Sequence, residues 1–261
     1  MDILSEIVAY KKKEVAERKS LYPTKLLEKS KFFEGQPVSL KKYIQREDKS
    51  GVIAEIKRKS PSKGTINAHV SIEQTSIGYM QAGASGLSVL TDEKYFGGTS
   101  EDLIQARTFN FCPILRKDFM IDEYQVIEAK SIGADVILLI AAVLKLSEIE
   151  QLASLAKSLG MEILLEVHDE KELINSLTDQ VDLIGVNNRN LKTFSTDITT
   201  SKELAAKIPD EFVKVTESGL HTSEVVKELK TYGYEGFLIG ERFMQSSRPE
   251  KAAKDFIKDI E

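Results

Sequence analysis

The chain has 261 residues, of which 41% are hydrophobic and 30% are charged, and its formal net charge is −5. Acidic and basic residues are interspersed without a block of like charge, which argues against nucleic acid or a membrane surface as a partner, and the longest apolar run, residues 136–144, is too short to span a bilayer. The single cysteine, Cys112, excludes an intrachain disulfide and is predicted to be a buried, inert thiol in a cytoplasmic protein.

Residues 1–50 are predicted to form a helical extension rather than a domain of their own. Their first apolar residues recur at helical spacing: Ile3, Leu4, Ile7 and Val8. Further apolar anchors follow: Leu26, Leu27, Phe32 and Phe33. Because this set is too small for a separate core, we expect the segment to pack on residues 51–261, so that the whole chain, 1–261, forms one domain.

Eight short apolar segments follow residue 51, separated by helical patterns. The segments span residues 52–57, 86–91, 113–118, 135–140, 162–167, 182–187, 213–216 and 236–240. Most are near-continuous aliphatic runs, which is the pattern of strands buried on both faces of a parallel sheet. Eight strand–helix units in about 200 residues predict an α/β fold, a (β/α)8 TIM barrel with an extra N-terminal helical segment.

Helices are predicted between these strands at residues 71–82, 122–132 and 147–159, each followed by a glycine that suits a left-handed cap. Ser147 is the expected N-cap of the third helix, with Glu150 completing a capping box. A doubly wound open sheet is the structural alternative. The Gly-x-Gly-x-x-Gly fingerprint of dinucleotide-binding sheets follows none of the predicted strands, which disfavours that alternative.

The end of the first strand carries charge where a barrel needs none. Strand residues alternate in direction, so Ile53, Glu55 and Lys57 share one face and Val52 and Ala54 share the other. A buried carboxylate and ammonium cost free energy unless they pair or take part in chemistry. This pattern alone allows two interpretations, a structural ion pair or part of an active site.

The other strand ends favour an active site, because the carboxyl ends of barrel strands converge on one mouth. Their polar residues are Lys117 after the third strand, Glu166 after the fifth, Asn187 after the sixth, Ser218 after the seventh and Glu241 after the eighth. Two lysines and two glutamates at one mouth would change each other's pKa values. Gly219 and Gly240 stand where such barrels often bind phosphate through backbone N–H groups, although both could simply form tight turns.

Residues 55–62, EIKRKSPS, resemble the signature of indole-3-glycerol phosphate synthase, a barrel family of tryptophan biosynthesis. The resemblance continues in the same order through FGG at 96–98, LRKDF at 115–119, LEVH at 165–168, VNNRNL at 186–191 and ESG at 217–219. It covers nearly the whole chain, including the helical extension. Glu241 departs from the family pattern, because a pair of small residues often follows Gly240; here the resemblance carries over only the backbone part of phosphate binding.

The resemblance implies that the enzyme closes the indole ring of 1-(2-carboxyphenylamino)-1-deoxyribulose 5-phosphate with loss of carbon dioxide and water. It implies a small sugar-phosphate substrate and neither a metal nor an organic cofactor. It assigns Lys117 as general acid and Glu166 as general base. A second cation close to Lys117 would lower its pKa toward the value that suits a general acid. Lys57 would supply a second acid or bind the carboxylate, and Glu55 would position and charge-balance Lys57.

The remaining implied roles concern substrate binding. Asn187 and Ser218 would hold hydroxyls or the carboxylate, with support from Arg189. Phe96 and Phe119 would sandwich the aromatic ring, although ordinary loop packing also explains them. The other binding candidates are Ser60, in the loop after the first strand, and Gly219, Gly240 and Glu241 at the phosphate corner.

Other functions remain as alternatives. A phosphoribosylanthranilate isomerase would use a cysteine at the end of the first strand, whereas Cys112 precedes the third. A class I aldolase would form a Schiff base on Lys117 or Lys57. A phosphate-binding barrel without catalysis would not need the four charged groups. A fused pathway partner is not expected, since a second barrel would add roughly 200 residues.

Overall fold

A computed structural model describes residues 3–191 and 193–260 of the chain. In that part of the chain, eight parallel strands close into a barrel in which each strand pairs with the next in sequence and the last pairs with the first. The strands are β1 Val52–Ile56, β2 Gly86–Leu90, β3 Ile114–Lys117, β4 Val136–Ile140, β5 Glu162–Val167, β6 Leu183–Asn187, β7 Val213–Glu217 and β8 Gly236–Ile239. The (β/α)8 prediction is confirmed, and each predicted strand ends within one residue of its observed bounds.

Helices surround this barrel and extend it at the N-terminal side. They are α1 Ile3–Leu21, α2 Thr24–Leu27, α3 Leu40–Ile44, α4 Ile72–Gln81, α5 Glu93–Phe96, α6 Ser100–Phe109, α7 Glu123–Ile132, α8 Leu146–Ser158, α9 Glu170–Ser176, α10 Thr199–Ala205, α11 Ser223–Lys230, α12 Glu241–Met244 and α13 Pro249–Ile260. A short hairpin that the sequence did not predict, Lys59–Ser60 paired with Gly64–Thr65, follows β1. None of the described helices is long and apolar enough to cross a membrane.

The glycines expected to follow the three predicted helices, Gly83, Gly133 and Gly160, all have positive φ. Ser71 caps α4, Asp122 caps α7, and Gly133 ends α7 with a φ of 92°. The predicted start of α8 is wrong, because the helix begins at Leu146. The backbone N–H before it, that of Lys145, donates to the Glu148 side chain at 2.8 Å, so Ser147 is not the N-cap.

The core has two layers, as strand alternation predicts. Ile53 and Leu115 point into the barrel with the other inward residues, whereas Val52 and Ala54 pack outward against the helices. Cys112 is buried as predicted, and burial raises the pKa of its thiol to about 12.

The amino-terminal end of the barrel is closed by α3. Leu40 and Ile44 of this helix are buried and pack with the inward strand residues. Glu162, at the start of β5, holds the helix in place because its carboxylate accepts the backbone N–H groups of Leu40 at 2.7 Å and Lys41 at 3.0 Å. The carboxyl ends of the strands form the opposite, open mouth.

The helical extension packs on the barrel. Ile7 and Val15 of α1 are buried, and Arg18 pairs with Glu128 of α7 at 2.6 Å. Leu26 is exposed, so its predicted role as an apolar anchor is wrong; the short helix α2 directs it to solvent. These contacts support the proposal that the extension and the barrel form one domain.

Candidate active site

All candidate residues named from the sequence line one cavity at the carboxyl mouth of the barrel. They are Glu55, Lys57, Ser60, Phe96, Lys117, Phe119, Glu166, Asn187, Arg189, Ser218, Gly219, Gly240 and Glu241. The parallel barrel brings them together, because each strand delivers its last residues to the same rim. The cavity is therefore the candidate active site.

Lys117 lies at the centre of the charged residues in this mouth. Its ammonium donates to Glu166 Oε2 at 2.9 Å and to Glu217 Oε2 at 2.8 Å. Its side chain is 13% exposed, so these contacts are made in a water-poor setting that the cavity still reaches. The predicted meeting of Lys117 and Glu166 at one mouth is present in the structure.

The expected electrostatic setting of Lys117 is wrong. The sequence predicts a second cation that lowers its pKa, but the charged groups around its ammonium are carboxylates. Burial alone would lower the pKa of Lys117; the charges of Glu166, Glu217 and Glu55 outweigh it and raise the pKa above its ordinary value. Lys117 is therefore held firmly in the charged, proton-carrying form.

Glu217 is a site residue that the sequence analysis did not select. Val213 and Val215 point into the barrel interior, so the alternation of β7 places Glu217 on the same inward face at the mouth. Burial and the neighbouring charge of Glu166 raise the pKa of Glu217 to about 8, despite the ammonium of Lys117. Glu217 therefore holds a proton more tightly than an ordinary glutamate does.

Glu55 and Lys57 form the predicted pair at the end of β1. The Lys57 ammonium donates to Glu55 Oε1 at 2.7 Å, and Ser88 Oγ donates to Glu55 Oε2 at 3.3 Å. Gly240 makes room for this pair, since a Cβ at that position would lie 2.5 Å from Glu55 Oε1. The glycine after β8 thus has a packing role besides any role in phosphate binding.

Glu166 is held at both oxygens. Its Oε2 faces Lys117, while its Oε1 accepts from Asn187 Nδ2 at 3.2 Å and lies 3.3 Å from His168 Nε2. Burial would raise the pKa of Glu166, but Lys117 and His168 prevail and hold it well below the ordinary range. Glu166 is accordingly a carboxylate in this cavity.

The predicted phosphate corner has a distinctive backbone. Ser218 and Gly219 both have positive φ, 68° and 79°, directly after β7. Glu241 begins the short helix α12 after β8, and its side chain lies 3.5 Å from Arg189 Nη2 and 3.4 Å from Lys63 Nζ. In this structure the arginine that was expected to support Asn187 and Ser218 therefore also faces a carboxylate of the protein.

The aromatic candidates contact each other. The ring centroids of Phe96 and Phe119 are 6.0 Å apart with their planes tilted by 38°. A substrate ring can stack against this pair as it stands, whereas a sandwich requires the two rings to separate. The helical extension also reaches the cavity, which the sequence did not foresee: Ile3, Leu4 and Ile7 of α1 line it.

Ser60 lies in the hairpin after β1, where its hydroxyl is 3.4 Å from that of Ser62. Ser62 in turn accepts from Arg189 Nη1 at 3.3 Å, so the hairpin is connected to the loop after β6. Across residues 3–191 and 193–260, no group of His, Cys, Asp and Glu side chains has an arrangement suited to a metal ion.

Comparison with known proteins shows which family the sequence matches. The sequence model of the family "Indole-3-glycerol phosphate synthase" matches residues 4–256. The indole-3-glycerol phosphate synthase of Bacteroides thetaiotaomicron is 48% identical over 262 residues, covering 100% of this chain and 99% of the relative. That of Prochlorococcus marinus is 43% identical, covering 99% and 90%.

A solved structure is similar in fold at low sequence identity. Thiamine phosphate pyrophosphorylase from Pyrococcus furiosus superimposes with a TM-score of 0.59 at 13% identity, over 80% of this chain and 94% of that one. At this identity the likeness concerns the barrel fold alone.

Proposed function

The chain belongs to the indole-3-glycerol phosphate synthase family, carboxy-lyases of tryptophan biosynthesis, and we propose that it converts 1-(2-carboxyphenylamino)-1-deoxyribulose 5-phosphate to indole-3-glycerol phosphate. The conversion releases carbon dioxide and water and takes up one proton from solvent. We propose Lys117 as the general acid and Glu166 as the general base.

One observation carries this proposal. The Lys117 ammonium lies between the carboxyl groups of Glu166 and Glu217, beside the Lys57–Glu55 pair, in a single cavity. A proton donor, a carboxylate and a protonated carboxyl within reach of one bound molecule are what ring closure and dehydration require.

Ring closure begins when the aryl carbon that bears the carboxylate attacks the ribulose carbonyl. The carbonyl oxygen becomes an alkoxide unless a proton reaches it, and Lys117 is the group proposed to supply that proton. Its raised pKa does not prevent this step, since an alkoxide is a far stronger base than an amine. The charge of Lys117 also stabilises the developing negative oxygen in a water-poor setting.

Decarboxylation then needs no base, because the cationic intermediate draws the electrons of the breaking carbon–carbon bond. Dehydration needs an acid for the departing hydroxyl and a base for the remaining proton. Lys57 and Glu217 are the proposed acid candidates, and Glu166 is the proposed base. Glu55 holds Lys57 at 2.7 Å, which fixes where that ammonium can act.

Different residues around the mouth are proposed to bind different parts of the substrate. Ser218, Gly219 and Gly240 would hold the phosphate through backbone N–H groups, at the position after strands seven and eight that barrels commonly use. Asn187 and Arg189 would hold hydroxyls or the carboxylate. The other proposed contacts line the same cavity: Ser60 in the hairpin, Phe96 and Phe119 against the aryl ring, and Glu241 near the sugar phosphate.

We propose that the enzyme acts in the cytoplasm on this small sugar phosphate. The proposal rests on the membership in a biosynthetic family and on a lone buried cysteine, Cys112, that cannot form an intrachain disulfide. Neither a metal nor an organic cofactor has a part in the proposed steps.

The proposal is tested by adding the carboxyphenylamino sugar phosphate to the purified chain and recording fluorescence. The chain contains no tryptophan, so an indole signal that appears with time comes from product. Product formation, unchanged by a chelator, is the expected result. Absence of product from folded protein would contradict the proposed function.

The aldolase alternative is tested in the same preparation. Borohydride would reduce a Schiff base between substrate and Lys117 or Lys57 to a stable covalent adduct. The proposed mechanism keeps both lysines unattached, so mass spectrometry should show no adduct. A substrate-dependent adduct on either lysine would replace the lyase mechanism with amine catalysis.

A further inference from the structure

His168 follows Glu166 by two residues and lies between two carboxylates. Its Nδ1 is 3.0 Å from Glu172 Oε2 of α9, and its Nε2 is 3.3 Å from Glu166 Oε1. The same Glu172 oxygen also accepts the backbone N–H of His168 at 2.8 Å, which holds the Glu172 carboxylate against the ring. The ring is mostly buried and Glu172 is nearer to solvent.

This geometry favours a proton on each ring nitrogen, although only Nδ1 makes a hydrogen bond and Nε2 faces Glu166 at ion-pair distance. A neutral imidazole has one N–H and one lone pair, so one nitrogen would present a lone pair to a carboxylate oxygen. With both nitrogens protonated, each faces a carboxylate favourably. Burial would lower the pKa of His168, but Glu166 and Glu172 outweigh it and raise the pKa to about 10.

The imidazolium gives Glu166 and Glu217, the two carboxyl groups around Lys117, different tendencies to hold a proton. Lys117 does not favour charge on Glu166 over Glu217, since its ammonium lies 2.9 Å from one oxygen of Glu166 and 3.1 and 2.8 Å from the two oxygens of Glu217. The other polar partners do, because His168 and the amide of Asn187 both face Glu166. Two carboxyl groups so close together cannot both ionise easily, so one of them holds a proton at neutral pH.

We propose that His168, held by Glu172, is a positioning residue that keeps the negative charge on Glu166 and the shared proton on Glu217. The assignment rests on the proposed function and deepens it, because it decides which carboxyl is the base and which is the acid. Glu166 starts the cycle as the carboxylate that removes the last proton. Glu217 starts it as a carboxylic acid able to protonate the departing hydroxyl.

The charged and polar groups that surround Glu166 and His168 come from four elements. Lys117 comes from β3, Asn187 from β6, Glu217 from β7 and Glu172 from α9, while His168 lies just beyond β5. Among the titratable ones, only His168 adds positive charge to Glu166 without adding it to Glu217 in the described contacts. Replacing His168 should therefore make Glu166 easier to protonate relative to Glu217, while both carboxyl groups and Lys117 stay in place.

The test is the pH profile of kcat for His168→Asn and His168→Gln. The asparagine amide can replace the Nδ1 donor to Glu172, and the longer glutamine side chain can place an amide near Glu166, but neither carries charge. We expect the acidic limb of both profiles to move upward by about 1 to 3 pH units, because Glu166 then protonates more easily. Activity should recover toward the wild-type value at higher pH, with KM little changed.

Two further variants make the test specific. Glu172→Gln removes the partner that holds the imidazolium and should shift the acidic limb in the same direction by a smaller amount. His69→Asn, at an exposed position that does not line the cavity, should leave the profile unchanged. Loss of folded enzyme lowers kcat by the same factor at every pH where the circular dichroism is constant. A shift of the acidic limb along the pH axis therefore reports a change in the pKa of Glu166.

Each outcome decides one claim. Wild-type and His168 profiles that superimpose, or that differ by a constant factor, would overturn the role of His168 while leaving the proposed function intact. A wild-type chain that forms no indole product would instead overturn the proposed function. An upward shift in the His168 variants and a smaller one in Glu172→Gln would support the assignment.

Discussion

The structure contains two buried lysines that are each surrounded by carboxyl groups, three around Lys11 and two in direct contact with Lys117, and the two lysines have different roles. Lys11 of α1 pairs with Asp92 at 2.8 Å and Asp118 at 2.9 Å, and its side chain is 0% exposed. Lys117 pairs with Glu166 and Glu217 at similar distances, but its side chain is 13% exposed and lines the cavity. Burial opposes the charge of both, and the carboxylates raise the pKa of both above the ordinary value.

A raised lysine pKa therefore does not distinguish a structural ion pair from a candidate catalytic one. What distinguishes them is whether the ammonium can be reached from the cavity. Lys11 ties the helical extension to the residues that follow β2 and β3, and Asp118 is the next residue after Lys117. No substrate atom can approach an ammonium that is wholly enclosed. Lys117 presents the same chemistry to an open cavity, so substitutions at the two lysines should have opposite consequences.

Lys117→Met should produce the largest effect of these substitutions. Methionine keeps the unbranched side chain but removes the proton donor, so we expect kcat to fall about 10²- to 10⁴-fold. Glu166 and Glu217 can take up protons when the ammonium is lost, because the cavity admits water, so the circular dichroism spectrum should stay that of a folded chain. Turnover within a few-fold of wild type would remove Lys117 from the mechanism.

Lys11→Met should show the reverse pattern. It leaves Asp92 buried without its cation and Asp118 with Arg116 as its one remaining cation in the described contacts, so the free energy of unfolding should fall by about 3 to 5 kcal/mol. Urea unfolding followed by circular dichroism measures that loss. The kcat of the enzyme that remains folded should fall far less than in Lys117→Met; an equal fall in both variants would erase the distinction between the two lysines.

Glu217→Gln should have a smaller effect on stability that depends on pH. The pKa of Glu217 is raised from 4.5 to about 8 in the folded chain, so the folded state holds its proton more tightly than the unfolded state does. The resulting penalty is absent below pH 4.5, grows as pH rises, and is complete above about pH 8.

Because the glutamine side chain carries no charge, the Glu217→Gln variant should be more stable than wild type at pH 8.5 by about 1 kcal/mol or more, with the gain vanishing near pH 4.5. Urea unfolding at the two pH values measures this difference. A variant that is less stable at pH 8.5 than at pH 4.5, relative to wild type, would reverse the sign and contradict the assigned proton.

The fold and most of the candidate mouth follow from local pattern. Aliphatic runs of similar length identify the strands, and alternation within them places Glu55, Lys57, Lys117 and Glu166 on the inward face. The same rule applied to Val213 and Val215 identifies Glu217 too. The Ser-Gly pair directly after that glutamate also fits a phosphate site, so the sequence alone does not single Glu217 out as a charged group of the mouth.

What could not be predicted depends on contacts between distant segments. The charge on Lys117 is stabilised first by Glu166, 49 residues further along the chain, and then by Glu217, 100 residues further along. The hydrophobic spacing of α1 does not reveal that Lys11 is buried, since a lysine on a helix is usually solvated. The contact of Glu241 with Arg189 likewise joins two segments 52 residues apart.

The central claim is that Lys117 acts in ring closure and Glu166 in the final proton removal. A single-turnover experiment that records carbon dioxide and indole fluorescence together tests it most directly. Glu166→Gln should release carbon dioxide before indole appears, and Lys117→Met should release neither at a comparable rate. Carbon dioxide and indole formed together at the wild-type rate in either variant would contradict the claim.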